Sequence, residues 1–335
     1  MGGRDYRHVS MRVGVIGVGS MGQNHVRVLS EIAKLIGIAD PDVKVGAEVS
    51  NRFSISYFVN YRDLFKERPD AVVIAAPTAK HHEIASAALN AGIHVLVEKP
   101  ICSTTKQAEK LADQADQMGL VLAVGHIERH NPVVGFAKRA LDAGEYGQLI
   151  TAATRRVSSL PERVKDVGVV MDLGIHDIDV MRYLVGSPVE SVYALGGREK
   201  HDRFEDHANI LMHFENGVNG FIEVNWLTPM KVRKLGLTCL KNFVELDYTS
   251  QSLTISSSTL MHFDSFNLYQ TPFEYDIRQV SLQKREPLRL ELDDFLGAIR
   301  EKRQSLVSGR DALETLKVAE AAITSQKKGA VVQID

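Results

Sequence analysis

The run Arg12-Val13-Gly14-Val15-Ile16 passes without a break into Gly17-Val18-Gly19-Ser20-Met21-Gly22, and this join constrains the fold more than any other part of the chain. A short apolar run of this kind reads as a buried parallel strand, and the residues from Gln23 to about Lys34 read as a helix. Each glycine between them has its own reason. Gly17 allows a tight turn, Gly19 lets the backbone approach a pyrophosphate, and Gly22 lets helix and strand pack closely. Free N–H groups at the helix start, with the helix dipole behind them, favour an anion. The strand before and the helix after turn a common glycine pattern into a dinucleotide site.

The second apolar run, Leu35-Ile36-Gly37-Ile38-Ala39-Asp40, ends in an acid about 20 residues beyond the glycines, where the ribose hydroxyls of such a cofactor lie. A carboxylate there accepts from the 2′-OH and repels a 2′-phosphate. Pro41 and Asp42 follow and bring no cation, so NAD is expected in preference to NADP. The plainer reading of Asp40 is a turn residue before Pro41.

At 335 residues the chain has room for two domains. Lys and Arg total 40 and Asp and Glu 42, a net charge of −2, which gives no electrostatic case for nucleic acid or an anionic membrane. No apolar run approaches the roughly 20 residues of a membrane span, and no signal peptide is seen ahead of the first strand. Cys102 and Cys239 match no metal spacing. Free thiols in a reducing cytoplasm, and no metal, are the expectation.

The organisation is α/β. Residues 1–10 are polar and read as an extension ahead of the fold. From 11 to 125, strands (12–16, 35–40, 70–76, 94–97, 120–124) alternate with helical stretches (80–90, 103–118), which predicts a doubly wound parallel Rossmann sheet. From 126 to 335 the pattern changes to a C-terminal α+β domain. Ile210, Met212 and Phe214 alternate with polar residues, Asn216-Gly217 makes a hairpin turn, and Val218 to Trp226 runs back. Further strand-like runs at 233–240, 243–248 and 252–255 predict a largely antiparallel open sheet, closed by amphipathic helices at about 288–302 and 311–326. One apolar sheet face without helices has to be buried, so a homodimer or homotetramer through that face is expected.

Two further clusters carry chemistry. Glu98-Lys99-Pro100 follows a strand, at the carboxyl edge where open α/β sheets bind ligands. Lys99 would face the reacting end of a bound cofactor, and Glu98 either bonds its ribose or pairs with Lys99. Then comes Met171-Asp172-Leu173-Gly174-Ile175-His176-Asp177-Ile178-Asp179. On a helix Asp172 and His176 share a face, Asp179 lies three residues beyond, and Leu173, Val180 and Leu184 form the buried stripe. A histidine among carboxylates suits a general base near neutral pH. Asp177 reads as an acid placed for the helix dipole.

Together, the GVGSMGQNHVRVL, AAPTAKHHEIASAALNAGIHVLVEKP and MDLGIHDIDVMRYLVG segments resemble the glucose–fructose oxidoreductase / inositol dehydrogenase (Gfo/Idh/MocA) family. The resemblance runs from Met11 onward. It implies an NAD-dependent oxidoreductase whose catalytic group is Lys99, Asp172 and His176. It implies a cofactor cleft of Gly17, Gly19, Ser20, Met21, Gly22, Asp40, Pro77, Thr78, His81, Glu98, Lys99 and Arg129, with His81 either lining it or capping its helix. GHIERHNP, RVKDVGVVMDLGIHDID and NWLTPMKVRKL are similar to a subgroup that oxidises C3 of UDP-N-acetylglucosamine or a related UDP-sugar. His130 stands where that subgroup usually has phenylalanine.

A phosphorylated substrate also has support from charge. Lys231 and Arg233 lie two apart on a strand and project to one face. Arg155, Arg156, Arg163 and Lys165 precede the catalytic helix. A guanidinium fork is the natural partner of a diphosphate, although basic residues are equally common on solvated sheet faces. The expected substrate-binding residues are Lys99, Asn131, Arg163, Asp172, His176, Lys231 and Arg233. Other readings stay open: a dehydrogenase of a free polyol such as myo-inositol, an NAD-dependent glycoside hydrolase, or a non-catalytic NAD-binding sensor.

Overall fold

The computed structural model describes residues 11–160, 167–260 and 273–334. The chain divides into two compact units, one of residues up to 126 with 288–314 and one of residues 127–287 with 315–335. The segment from Leu288 to Glu314 therefore belongs with the first unit.

In the first unit β1 (Arg12–Ile16), β2 (Lys34–Ala39), β3 (Tyr57–Phe58), β4 (Ala71–Ile74), β5 (His94–Glu98) and β6 (Leu122–Gly125) form one parallel sheet. Their order is β3-β2-β1-β4-β5-β6. Helices α1 (Ser20–Ile32), α2 (Val43–Phe53), α3 (Tyr61–Lys66), α4 (Thr78–Asn90) and α5 (Thr105–Met118) connect them. Parallel strands covered on both faces must be apolar throughout, and Ala71-Val72-Val73-Ile74 is buried at every position. The order reverses between β1 and β4, so the crevice for a ligand lies outside the carboxyl ends of those strands. Helix α8 (Pro287–Glu301) follows, and the chain after it returns beside β6, where Val124 N–H donates to Val307 O at 3.1 Å.

The second unit holds a nine-stranded sheet. It contains β7 (Leu149–Ser159), β8 (Val189–Gly197), β9 (His207–Phe214), β10 (Asn219–Asn225), β11 (Leu227–Cys239), β12 (Phe243–Asp247), β13 (Ser252–Leu260), β14 (Phe273–Ser281) and β15 (Val332–Gln333). The order is β14-β13-β12-β11-β7-β10-β9-β8-β15, antiparallel except where β7 and β10 pair in parallel. One face carries Ile210, Met212, Val224, Leu235, Leu237 and Leu246. It packs with residues of α6 (Pro132–Asp142), α7 (Ile175–Val185) and α9 (Gly309–Lys328) in a single apolar core. On the other face Tyr193, Leu211, Phe221, Ala153 and Gly236 lie in register across five strands. Leu211, Phe221 and the neighbouring Phe243 are exposed there.

Candidate active site

Geometry at the end of β1 restricts positions 17 and 22 to glycine. Gly17 has φ +85°, and a Cβ there would lie 2.6 Å from Ala76 N. A Cβ on Gly22 would lie 1.9 Å from Gly17 O, so only glycine lets α1 start against the turn. Position 19 is the opposite case, since a Cβ there would meet nothing within 4 Å. That open side, together with the first-turn N–H groups of α1, which no side chain caps, forms a cradle a pyrophosphate would fill. Ser20 and Met21 are the first residues of that helix.

Asp40 braces this loop. One carboxylate oxygen accepts from Val18 N–H at 2.8 Å and the other from Asp42 N–H at 2.8 Å. Its charge thus sits beside the glycine turn. Asp42 takes the capping role on α2, accepting from Lys44 and Val45 N–H.

Pro77 and Thr78 open α4 at the end of β4. His81 neither caps that helix nor faces solvent. It is buried, with Nδ1 2.8 Å from Pro100 O and Nε2 2.8 Å from Ala76 O. The ring therefore ties the turn after β4 to the turn after β5, while burial pulls its pKa down against those two carbonyls. Glu98 and Lys99 lie in the second of these turns, half-buried, with Lys99 N–H donating to Glu98 Oε2 at 3.3 Å. Burial pushes the Glu98 carboxyl up, but the hydrogen bond and charge of His25, with Lys99 and His81, outweigh it and bring it below its usual value.

In the second unit the Asp172 segment departs from a regular α-helix. Val170–Gly174 form a wide π-type turn that runs directly into α7. Asp172 is buried in that turn and His176 follows in the first turn of α7. Leu173, Val180 and Leu184 form the buried stripe. The acids after His176 are engaged elsewhere. Asp177 is no solvent-facing dipole partner; it is 1% exposed and receives Arg156 Nε at 2.8 Å. Asp179 takes a two-pronged bond from Arg129 Nε and Nη2, both at 2.8 Å.

Arg129 thus packs the underside of α7, its guanidinium also over the Tyr183 ring. Asn131, expected to touch substrate, is spent on the fold. It caps α6 through Val133 N–H and donates to Glu128 Oε2 and Tyr248 O. His130 is buried in the preceding turn.

Lys231 and Arg233, from β11, do come together. With Arg156, Ser158, Ser159 and Asp172 they line a cavity of about 260 Å³. Arg233 reaches Glu128 Oε1 at 3.5 Å, and the same oxygen receives Arg156 Nη1 at 2.9 Å. Asp177 and Glu128 outweigh burial and hold Arg156 in its charged form. Its Nη2 is buried with no hydrogen-bond partner among the described residues. Burial and then the neighbouring Arg156 pull Arg233 down, and the charge of Arg233 pulls Lys231 down. A cavity whose cations repel one another is poised for an anion. Arg155 points away, 57% exposed and paired with Glu223 at 3.0 Å on the open sheet face. Arg163 and Lys165 lie outside the described residues.

Residues 11–126 match the profile of the oxidoreductase family with an NAD-binding Rossmann fold, and residues 135–243 match the GFO/IDH/MocA C-terminal domain. The chain is 31% identical over 301 residues to UDP-N-acetylglucosamine 3-dehydrogenase of Acidithiobacillus ferrooxidans, covering 90% of this chain and 92% of that one. It is 28% identical to scyllo-inositol 2-dehydrogenase (NAD(+)) of Bacillus subtilis, covering 97% and 96%. A solved structure of the Acidithiobacillus enzyme superposes with a TM-score of 0.83 at 29% identity, covering 96% of this chain and 99% of that one. Levoglucosan dehydrogenase in complex with NADH shares the fold, with a TM-score of 0.85 at 21% identity over 97% and 99%.

Proposed function

The chain belongs to the GFO/IDH/MocA oxidoreductase family and is an NAD-dependent sugar dehydrogenase, and we propose that its substrate is a UDP-linked N-acetylhexosamine oxidised at C3. The observation that carries this reading is the cavity beside Asp172. It gathers Arg156, Lys231 and Arg233, a cation set suited to a diphosphate. The relative at 31% identity acts, by its name, on UDP-N-acetylglucosamine.

In this reading the glycine turn, Ser20 and Met21 receive the pyrophosphate, and Asp40 faces the adenosine ribose and disfavours a 2′-phosphate. Pro77, Thr78 and Glu98 border the rest of the cofactor. NAD, when bound, supplies the hydride acceptor. His176 takes the proton of the secondary hydroxyl, Lys99 stabilises the developing alkoxide, and Asp172 orients one or both; Lys99 as the base is the alternative within the same group. Lys231 and Arg233 hold the diphosphate, so remote binding energy lines up the sugar carbon.

The test is spectrophotometric. UDP-N-acetylglucosamine should generate NADH, with NAD strongly preferred to NADP, while N-acetylglucosamine alone should give little. A second reading, oxidation of a free polyol, is favoured by the inositol dehydrogenase that aligns over 97% of the chain. Efficient oxidation of scyllo- or myo-inositol with none of any UDP-sugar would establish it instead. Sugar turnover without net NADH would point to the hydrolase.

We further propose that the row of Leu211 and Phe221 on the open sheet face pairs with a second copy of the chain, in the cytoplasm. Phe221→Lys should lower the mass seen by light scattering. Among the described residues no helix is long and apolar enough to cross a membrane.

A further inference from the structure

The first N–H groups of a helix point out of its end and find no partner inside it. Val169 caps and Val170 opens the wide turn that carries Asp172, and one residue from another part of the chain meets both. Val169 N–H donates to Glu205 O at 2.9 Å, and Val170 N–H donates to Glu205 Oε1 at 3.3 Å. Asp172 N–H in turn donates to Gly168 O at 3.0 Å.

Glu205 comes from a loop that is itself held firmly. Residues 198–206 join β8 to β9 and fold around Asp206, which is 0% exposed and accepts from the Glu199, Lys200 and His201 N–H groups. Asp206 Oδ1 lies 3.0 Å from His207 Nδ1. Burial pushes the Asp206 carboxyl up, but these bonds outweigh it and bring it down to about 2. His201 Nδ1 accepts from Arg203 and Phe204 N–H, and its ring lies against those of Phe204 and the buried Trp226. Asp206 N–H to Gly197 O and Trp226 N–H to Asp206 O tie the loop to the sheet.

Space is fitted at the turn as well. A Cβ on Gly168 would lie 2.0 Å from Glu205 Oε1. That oxygen is the flexible end of a side chain, so a methyl group at 168 would push the carboxylate aside and leave the backbone in place. Burial pushes the Glu205 carboxyl up, against its own N–H, the Val170 N–H and the charges of Lys327 and His201. Folding disfavours that charge, so stability alone does not account for an acid at this place. The turn has its own weakness. Ile175 N–H reaches back to Val170 O, one residue further than in an α-helix, and such turns are rare and concentrate at functional sites. Loss of the hold on Val170 lets the segment close toward an ordinary α turn, which rotates Asp172 about the helix axis relative to His176.

We propose that Glu205 is a positioning residue: it pins the start of the wide turn and so fixes where Asp172 stands relative to His176. Its effect on turnover rests on the roles proposed for Asp172 and His176; its hold on the turn does not.

The experiment uses the full chain, with turnover followed as NADH formed from UDP-N-acetylglucosamine, or from scyllo-inositol where that is the substrate. Glu205→Ala should lower kcat by about tenfold to a hundredfold, the cost of a misplaced reacting group, with KM for NAD unchanged. Glu205→Gln keeps an acceptor oxygen and should recover most of the loss. Gly168→Ala displaces the carboxylate without removing it and should lower kcat as far as Glu205→Ala does. In the double variant the added methyl meets no carboxylate, so the two losses should not add. Should Glu205→Ala fail to fold, Gly168→Ala against the wild type carries the same comparison. Amide hydrogen exchange reads the turn directly, and Val170 N–H should exchange faster in both single alanine variants. Normal kcat in Glu205→Ala, a Gln variant no better than Ala, or additive losses in the double variant overturns the positioning. If His176→Ala turns over normally, the His176 assignment fails, while exchange at Val170 still decides whether Glu205 pins the turn.

Discussion

The two units prepare for an anion in opposite ways. In the first, the anion cradle is made of backbone N–H groups and glycines at the end of β1. In the second, arginine is the main component. Arg129 is locked to Asp179, and Arg156 lies between Asp177 and Glu128, with Glu128 shared by Arg233. The pyrophosphate is common to the dinucleotides that such a fold binds, so a fixed backbone geometry suffices for it. A substrate differs from one enzyme to the next, and side chains held by counter-charges can be exchanged without remaking the backbone.

The largest effects test whether each unit supplies one essential reacting group. Lys99→Ala in the first and His176→Ala in the second should each lower turnover by about 10²–10⁴-fold, the usual range for a lost acid–base group. NAD binding, followed by fluorescence quenching, should survive the His176 change. If one variant keeps normal kcat, the chemistry belongs to the other unit alone.

Stability provides the next test. Arg156→Ala leaves Asp177 buried without its cation and Glu128 with only the more distant Arg233, a change that costs about 3–5 kcal/mol for a broken buried pair. Chemical denaturation should register it as a clear loss of midpoint. Asp40→Ser, also at a charged group but half-exposed, gives up hydrogen bonds from Val18 and Asp42 N–H yet strands no buried charge, so it should lower the midpoint less and should narrow the preference for NAD over NADP. Similar losses in the two variants would erase the contrast between the units.

What could be read in the sequence follows the same division. The glycine turn, Asp40 and the strands around them are local patterns, and local patterns survive in a one-dimensional string. Lys231 and Arg233 were legible for the same reason, because alternation on a strand is local. The partners of Asp177 and Asp179 were not. Arg156 is 21 residues from Asp177 and Arg129 is 50 residues from Asp179, and long-range pairing leaves no periodicity. The one available signal was the run of charge in Ile127-Glu128-Arg129-His130 directly after an apolar strand. His25 was hidden differently, as one polar residue on the inner face of an ordinary amphipathic helix. The central strand β7 was missed because its outer face carries Arg155 and its inner face Arg156. Charge on both faces conceals the alternation of a half-buried strand.

The smallest effect concerns Lys231, and it sharpens the comparison most. Its ammonium loses its proton more readily than an ordinary lysine, first because Arg233 repels it and then through burial. An anion binds the protonated form, so affinity is full below the Lys231 titration and falls as pH rises through it. KM for a UDP-sugar should therefore climb on the alkaline side while KM for NAD, held by backbone N–H groups that do not titrate, stays flat. Lys231→Ala should raise KM for the UDP-sugar by about tenfold, the scale of one charge-assisted hydrogen bond of about 1.5 kcal/mol, and should abolish the alkaline climb. Lys231→Arg keeps the charge at all accessible pH values and should flatten the profile at a low KM. The same alkaline rise in wild type and Lys231→Arg would show that another group titrates. If neither variant changes KM, the cavity beside Asp172 does not hold the diphosphate.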